Sequence, residues 1–494
     1  MNISIPNFLR KRAQLSPNKV AIETDTEQIT FLQLLQSSEN LAKKLASFSL
    51  EKGDVVSVFM SNSIELVEII FALKHIGCIT VLHNTRLTPA ELEFQLVDAG
   101  SKFIICDHDT KENITVKEIG VKSVNDVKEA QEVDTFMLQE EFYLSDTDTI
   151  MYTSGTTGKP KGVKQTYGNH YWSASSSALN LGLHEEDCWL AAVPLFHISG
   201  LSIIMRGVIY GMRVVLHTKF ESSKVNRSII EKRVTIISVV SSMLTSLLED
   251  LGNGKYHDTF RCMLVGGGPV PVSLLEKCKE KSIPVVQTYG MTETCSQIVT
   301  LNAEDAWRKV GSAGKPLFPC QMKIVKDDKE LLANQAGEIV VKGPNVSPGY
   351  WNREEIFLHD SWFYTGDIGY IDEAGYLFVL DRRSDLIISG GENIYPAEIE
   401  NVLVSHEQII EAGVTGITDE KWGQVPVGFI VLQKHSFLTE ADILSFVSER
   451  LAKYKVPKRI IVVETLPKNA TNKLLRRKLI ELLPGRIGGE NHVD

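Results

Sequence analysis

Tyr152-Thr153-Ser154-Gly155-Thr156-Thr157-Gly158-Lys159-Pro160-Lys161-Gly162-Val163 crowds hydroxyls, glycines and lysines into one run. A loop that wraps a polyphosphate needs these residue types. Glycines let backbone N–H groups approach phosphate oxygens, Ser and Thr hydroxyls donate hydrogen bonds, and lysines supply point charge. Thr149-Ile150-Met151-Tyr152, just before it, reads as a short buried strand feeding the loop. A helix is predicted from about Asn169. The order is not that of a P-loop, which requires G-x-x-x-x-G-K-[ST], because Gly158-Lys159 is followed by Pro160. A polar surface loop would use the same residues, so the rest of the chain has to decide.

Working outward, 494 residues are too many for one core, and two or more domains are expected. The formal net charge of −10 argues against nucleic acid as a main partner but allows a local basic pocket. Seven scattered cysteines (Cys78, Cys106, Cys188, Cys262, Cys278, Cys295, Cys320) form no C-x-x-C pair. That pattern predicts reduced thiols and a cytoplasmic location. No signal peptide is read at Met1–Pro6, and no apolar run spans a bilayer.

Upstream of the loop the chain alternates helix-like and strand-like segments. Phe31–Phe48 is amphipathic, with Leu34, Leu35, Leu41 and Leu45 on one side. Val55–Phe59 is a buried strand, and Ser63–Ile76 a helix closed by Gly77. These repeats predict an α/β fold, sheets flanked by helices. Lys111–Gln139 reads as charged surface. Asp381-Arg382-Arg383-Ser384-Asp385 breaks the apolar pattern and marks a domain boundary, after which a small α+β module is expected.

Downstream, Pro194-Leu195-Phe196-His197-Ile198-Ser199-Gly200 puts His197 at a strand-to-helix transition. Arg206 falls in an otherwise apolar helix, where a charge is costly unless paired. It either snorkels to the surface or recognises a carboxylate. Gly266-Gly267-Gly268-Pro269 follows a strand, at the end where open α/β sheets bind ligands. Tyr289-Gly290-Met291-Thr292-Glu293 offers an aromatic ring, a hydroxyl and a carboxylate, and Glu293 is a candidate Mg²⁺ ligand. Tyr364-Thr365-Gly366-Asp367 places Asp367 at a turn, as a structural residue or as an acceptor for a ribose diol.

Taken in order, YTSGTTGKPKGV, PLFHISG, GGGPVP, YGMTE, GEIVVKGP, YTGD, DRRSDLI, GGENIYPAEIE and PKNATNKLLRR resemble the core motifs of the adenylate-forming (acyl-CoA synthetase) superfamily over nearly the whole chain. The resemblance implies a large N-terminal ATP- and acyl-binding domain at 1–381, a hinge at 382–384 around Ser384, and a small mobile C-terminal domain at 385–494. It implies that Thr153, Ser154, Gly155, Thr156, Thr157 and Lys161 hold the ATP phosphates. Gly266, Gly267, Gly268, Pro269 and Tyr289 would bind adenine, Thr292 and Glu293 the α-phosphate and Mg²⁺, and Asp367 and Arg382 the ribose. Lys473 would be catalytic, joined by His197 and Thr292. Gly390 and Gly391 would form the loop near coenzyme A. Asn472 stands where the family usually has Gly, and Ser384 where it often has a charged residue.

No carrier-protein segment is read after the C-terminal module, so coenzyme A is the expected thiol, with ATP and Mg²⁺. Within the superfamily, PLFHISG with Arg206 downstream and YGMTETCSQIVTL are most similar to o-succinylbenzoate–CoA ligases of menaquinone synthesis. His197, Arg206 and Ser296 are then expected at the acid. Other aryl- or medium-chain acyl-CoA ligases stay open as alternatives, as does a non-catalytic nucleotide-binding protein of the same fold. The expected partners are a small carboxylic acid and CoA, with no nucleic acid and no membrane span; homo-oligomerisation is left open.

Overall fold

The structure is a computed structural model that describes residues 3–112, 114, 116, 119–153, 160–267, 270, 272–353, 358–381, 387–394, 396–434, 436–467, 474 and 476–483. The chain divides into two compact units. The first comprises Met1–Thr85, Leu92–Thr153 and Gly162–Asp381, and the second is the remainder.

Two large sheets dominate the first unit. One has six strands, in the order Lys161–Thr166, Thr147–Thr153, Ile79–Leu82, Val55–Phe59, Phe103–Cys106 and Gly120–Ser123. Its pairs from Thr147–Thr153 to Gly120–Ser123 are all parallel. Val55–Phe59 is buried at every position, the pattern of a strand covered on both faces. A second sheet of nine strands runs from Lys315–Pro316 through Ser296–Leu301, Val285–Met291, Cys262–Val265, Ile236–Val239, Cys188–Ala191, Arg213–Leu216 and Val20–Glu23 to Gln28–Thr30. The helix Ile64–Ile76 is apolar nearly all round and buried; Ser63 caps its start, and Gly77, at φ 89°, ends it in the left-handed region. An antiparallel sheet built on Gln321–Lys326, Gly337–Lys342 and Trp362–Ile371 completes this unit.

The second unit carries its own five-stranded sheet, in which Ile409–Asp419 and Gly423–Leu432 form a long antiparallel pair. Pro396–Val404 and Glu440–Ser448 are its helices, and Ile399, Leu403, Ile443 and Val447 are wholly buried. The mixed α/β and smaller α+β architectures match the sequence reading. Lys111–Gln139 does not read as the structure has it: it contains the strand Gly120–Ser123 and the helix Val124–Glu129, whose buried Val124 and Val127 were hidden among charged residues.

Three buried histidines make the first unit acid-sensitive. His75 bonds Asn7 Nδ2 and Ser38 Oγ, each at 3.0 Å, and His83 lies 2.7 Å from Ser57 Oγ and 2.9 Å from Gln95 Oε1. Burial lowers His75 to about 3, and His83 and His170 to about 4. Between these values and the unfolded value near 6.5 the unfolded chain binds the extra proton. Stability is therefore complete above pH 6.5 and falls on acidification, by about 2 kcal/mol per histidine down to pH 5. Thermal melts between pH 7.5 and 5 are expected to show that decline, and a flat profile would mean that these rings protonate without unfolding.

Candidate active site

Of the residues expected to hold phosphate, Thr153 ends the strand Thr147–Thr153 half-buried, and Lys161 opens the adjacent strand Lys161–Thr166. Ser154, Gly155, Thr156 and Thr157 lie outside the described residues. The strands on either side of the loop are cross-tied: Thr149 Oγ1 donates to Gln165 Oε1 at 3.1 Å, and Gln165 Nε2 donates to the Thr292 carbonyl at 3.1 Å. Gln165 is fully buried, so one amide couples the base of the loop to the Thr292–Glu293 segment.

The residues expected to bind the nucleotide lie at or near strand ends. Gly266 follows Cys262–Val265, and a Cβ there would sit 3.2 Å from Thr288 Cγ2. Gly267 is left-handed at φ 83°. Gly268, Pro269 and Arg382 lie outside the described residues. Tyr289, on Val285–Met291, donates its hydroxyl to Asp367 Oδ2 at 2.8 Å, and both residues are buried. Asp367 does not close a turn, as the sequence suggested. It lies inside the strand Trp362–Ile371, where irregular pairing with Gly337–Lys342 leaves Thr365 Oγ1 to bond the Ile339 carbonyl and the Asp367 N–H. The YTGD pattern reads as a turn because Gly366, at φ 73°, breaks the strand's regularity without ending it.

Thr292–Thr294 is a single 3₁₀ turn, followed by Cys295 at φ 50° and Ser296 at φ 90°. Left-handed backbone at non-glycine residues costs about 1–2 kcal/mol each. Five consecutive carbonyls are fixed from outside the turn or across it. Thr292 O accepts from Gln165, Glu293 O from Ser347 N at 2.8 Å, and Thr294 O from Asn345 Nδ2 at 2.9 Å. Cys295 O accepts from Ser173 Oγ at 2.6 Å, and Ser296 O from Thr294 Oγ1 at 2.8 Å. Gly290 is required opposite, since a Cβ there would lie 2.0 Å from the Ser296 carbonyl. Glu293 stands half-buried on this frame, with Tyr350 OH donating to Oε1 at 3.1 Å. It belongs to no cluster of three or more metal-ligating side chains among the described residues. That fits Mg²⁺, which takes one or two carboxylates and fills its shell with water and phosphate oxygens.

The residues expected at the acid lie on and beside the helix Ile198–Tyr210. His197 is its N-cap and is half-buried, its ring 4.8 Å from that of Phe196. Gly200 lets the preceding turn fold onto the helix, because a Cβ there would meet the Pro194 carbonyl at 2.2 Å. Arg206 does not snorkel: it is 2% exposed. Its Nη2 lies 3.4 Å from both Ser173 Oγ and Ser296 Oγ, and its guanidinium sits 5.3 Å from the Trp189 ring centroid. Among the described residues no carboxylate pairs with it, and its buried Nε has no hydrogen-bond partner. Burial pushes its pKa below the ordinary arginine value. Both polar atoms of the Gln297 side chain are likewise buried without partners. Leaving such groups unmet costs about 1–3 kcal/mol each, more for a charge, which points to a polar or anionic ligand. The structure thus joins Arg206 and Ser296. It adds Ser173 and Trp189, which the sequence reading missed because nothing in the local pattern around either residue marks a site.

In the second unit Gly390 and Gly391 are left-handed, at φ 56° and 86°. A Cβ on Gly390 would meet the Trp422 ring at 2.8 Å, and Gly390 N donates to the Trp422 carbonyl at 2.8 Å. Ser384 and Lys473 lie outside the described residues.

Comparison with known proteins gives two family matches: an AMP-binding enzyme domain over residues 9–351 and an AMP-binding enzyme C-terminal domain over residues 398–473. A 2–succinylbenzoate–CoA ligase from Geobacillus sp. (strain WCH70) is 54% identical, covering 99% of this chain and 100% of that protein. The o-succinylbenzoate CoA synthetase MenE of Bacillus subtilis, solved as a double mutant with the product analogue OSB-NCoA, is 48% identical with a TM-score of 0.93, covering 97% of this chain and 99% of that one. The same enzyme with ATP and magnesium is 48% identical with a TM-score of 0.75, covering 97% and 100%.

Proposed function

The chain belongs to the AMP-binding enzyme family, and from that premise we propose how its site works. It is an ATP-dependent acid–CoA ligase that converts o-succinylbenzoate to o-succinylbenzoyl-CoA through an acyl-adenylate, a step of menaquinone biosynthesis. ATP, Mg²⁺ and CoA are its co-substrates and cofactor. The observation that carries the acid assignment is Arg206, a buried guanidinium with no carboxylate partner among the described residues. A substrate with two carboxylates brings one to be activated and one to meet that charge.

A carboxylate must attack the α-phosphorus although both are negative. Lys473, the hydroxyls of Thr153, Ser154, Thr156, Thr157 and Thr292, and Lys161 would offset that repulsion and stabilise charge spread over the phosphoryl oxygens. Glu293 would hold Mg²⁺, which neutralises phosphate charge when bound. Gly266, Gly267, Gly268, Pro269 and Tyr289 would seat the adenine, and Asp367 with Arg382 the ribose. Arg206 and Ser296 would fix the non-reacting carboxylate, while His197 at the helix start borders the reacting one. Pyrophosphate leaves, and a thiol then attacks the acyl carbon and releases AMP. We place the N-terminal domain at 1–381, the hinge at 382–384 around Ser384, and the mobile domain at 385–494. Rotation there would withdraw Lys473 and bring in the Gly390-Gly391 loop. A cytoplasmic location belongs to the same reading; no helix among the described residues is long and apolar enough to cross a membrane.

Pyrophosphate release and thioester formation, measured with ATP, Mg²⁺ and CoA against o-succinylbenzoate, benzoate, 4-coumarate, octanoate and acetate, test the assignment. Strong preference for o-succinylbenzoate is expected. Preference for a monocarboxylate would discard the role of Arg206 while keeping the ligase chemistry.

A further inference from the structure

Behind Ser296 lies a chain of buried groups that the reaction does not use. Lys74 Nζ bonds both carboxylate oxygens of Asp148, and the two side chains are 1% and 0% exposed. His170 Nε2 lies 3.2 Å from Asp148 Oδ2 and 3.0 Å from Thr149 Oγ1, and His170 Nδ1 lies 3.4 Å from Cys295 Sγ. Thr149 Oγ1 gives its own proton to Gln165 Oε1, so it accepts from Nε2, which carries the imidazole proton and also faces the Asp148 carboxylate. Nδ1 is then the acceptor, and the Cys295 thiol donates to it. Cys295 is the left-handed residue immediately before Ser296, and its carbonyl accepts from Ser173, which also contacts Arg206.

We infer that Cys295 is a positioning residue for acid recognition: its thiol, anchored on His170, fixes the left-handed corner that aims Ser296 Oγ and Ser173 Oγ at Arg206. This rests on the reading of Arg206 as the receptor for the substrate's second carboxylate. The corner joins the 3₁₀ turn Thr292–Thr294 to the strand Ser296–Leu301, and the thiol adds a side-chain anchor to the backbone bonds that hold it. Lys74 and Asp148 fix the ring on its other side. Cys295 acts only through this hydrogen bond, not as a nucleophile: it is 1% exposed, and burial raises its thiol pKa.

The test compares KM for o-succinylbenzoate with KM for ATP in the full-length enzyme, with melting temperatures as a folding control. Cys295→Ala is expected to raise KM for the acid by about ten-fold and leave KM for ATP within about two-fold. Cys295→Ser, whose hydroxyl donates to the same nitrogen, is expected to recover most of the loss. His170→Phe keeps a ring in place but removes Nδ1, and should reproduce the acid-specific defect from the other side of the bond. Parallel rises in both KM values, or a serine that rescues nothing, would assign the loss to packing and overturn the inference. Arg206→Met is measured alongside. If it raises KM for the acid while Cys295→Ala does not, the inference alone falls. If Arg206→Met leaves KM for the acid unchanged, the receptor reading falls and takes the inference with it.

Discussion

Lys473→Ala is expected to slow acyl-adenylate formation by about two to three orders of magnitude, the usual cost of removing one preorganised charge donor from a phosphoryl-transfer site. The first half-reaction brings a carboxylate onto a polyphosphate, and the transition state spreads additional charge over the α-phosphoryl oxygens. A lysine there stabilises the transition state more than bound ATP, so kcat should fall and KM for ATP should change little. The second half-reaction, attack of CoA on preformed o-succinylbenzoyl-adenylate, needs no such neutralisation and should survive. Single-turnover assays of the two half-reactions make the comparison. Equal losses in both would mean that Lys473 supports the fold or the domain rotation. Unchanged adenylation would remove it from the mechanism.

Arg206→Met is expected to separate activity from stability. The loss in kcat/KM for o-succinylbenzoate should be about 10²–10³, because a charge-assisted contact to a desolvated carboxylate disappears and leaves that carboxylate unmet. Turnover of monocarboxylates such as benzoate should fall much less, and selectivity between the two acids should narrow. The melting temperature of the ligand-free protein should hold or rise. Arg206 is 2% exposed, its Nε has no partner, and its Nη2 contacts to Ser173 and Ser296 are long at 3.4 Å. Taking a charge out of water costs several kcal/mol per ion, so an apolar side chain of similar length is expected to be neutral to stabilising here. A fall in melting temperature with selectivity intact would make Arg206 a packing residue and remove the argument for a dicarboxylic acid.

The sequence by itself determined the reaction class and the architecture. Both are encoded in short contiguous runs: glycines where backbone must approach phosphate, hydroxyls and lysines beside them, and strand and helix periods that read locally. Pro396 opening its helix and Gly77 closing another were legible because cap and breaker preferences act within a few residues. Asp367 was misread because Gly-Asp signals a turn locally, while pairing with Gly337–Lys342 keeps the segment in a strand. Only the tertiary structure decided whether Arg206 faces water or the interior, since an arginine in an apolar helix fits both until its neighbours are known. Ser173, Trp189 and Ser296 come from three separate elements and meet at one guanidinium. Likewise the carbonyls of Thr292 to Cys295 are held by Gln165, Ser347, Asn345 and Ser173, residues 51 to 127 positions away in sequence. A site assembled from such long-range contacts leaves no period or motif in the chain, because the constraint acts between segments rather than within any one of them.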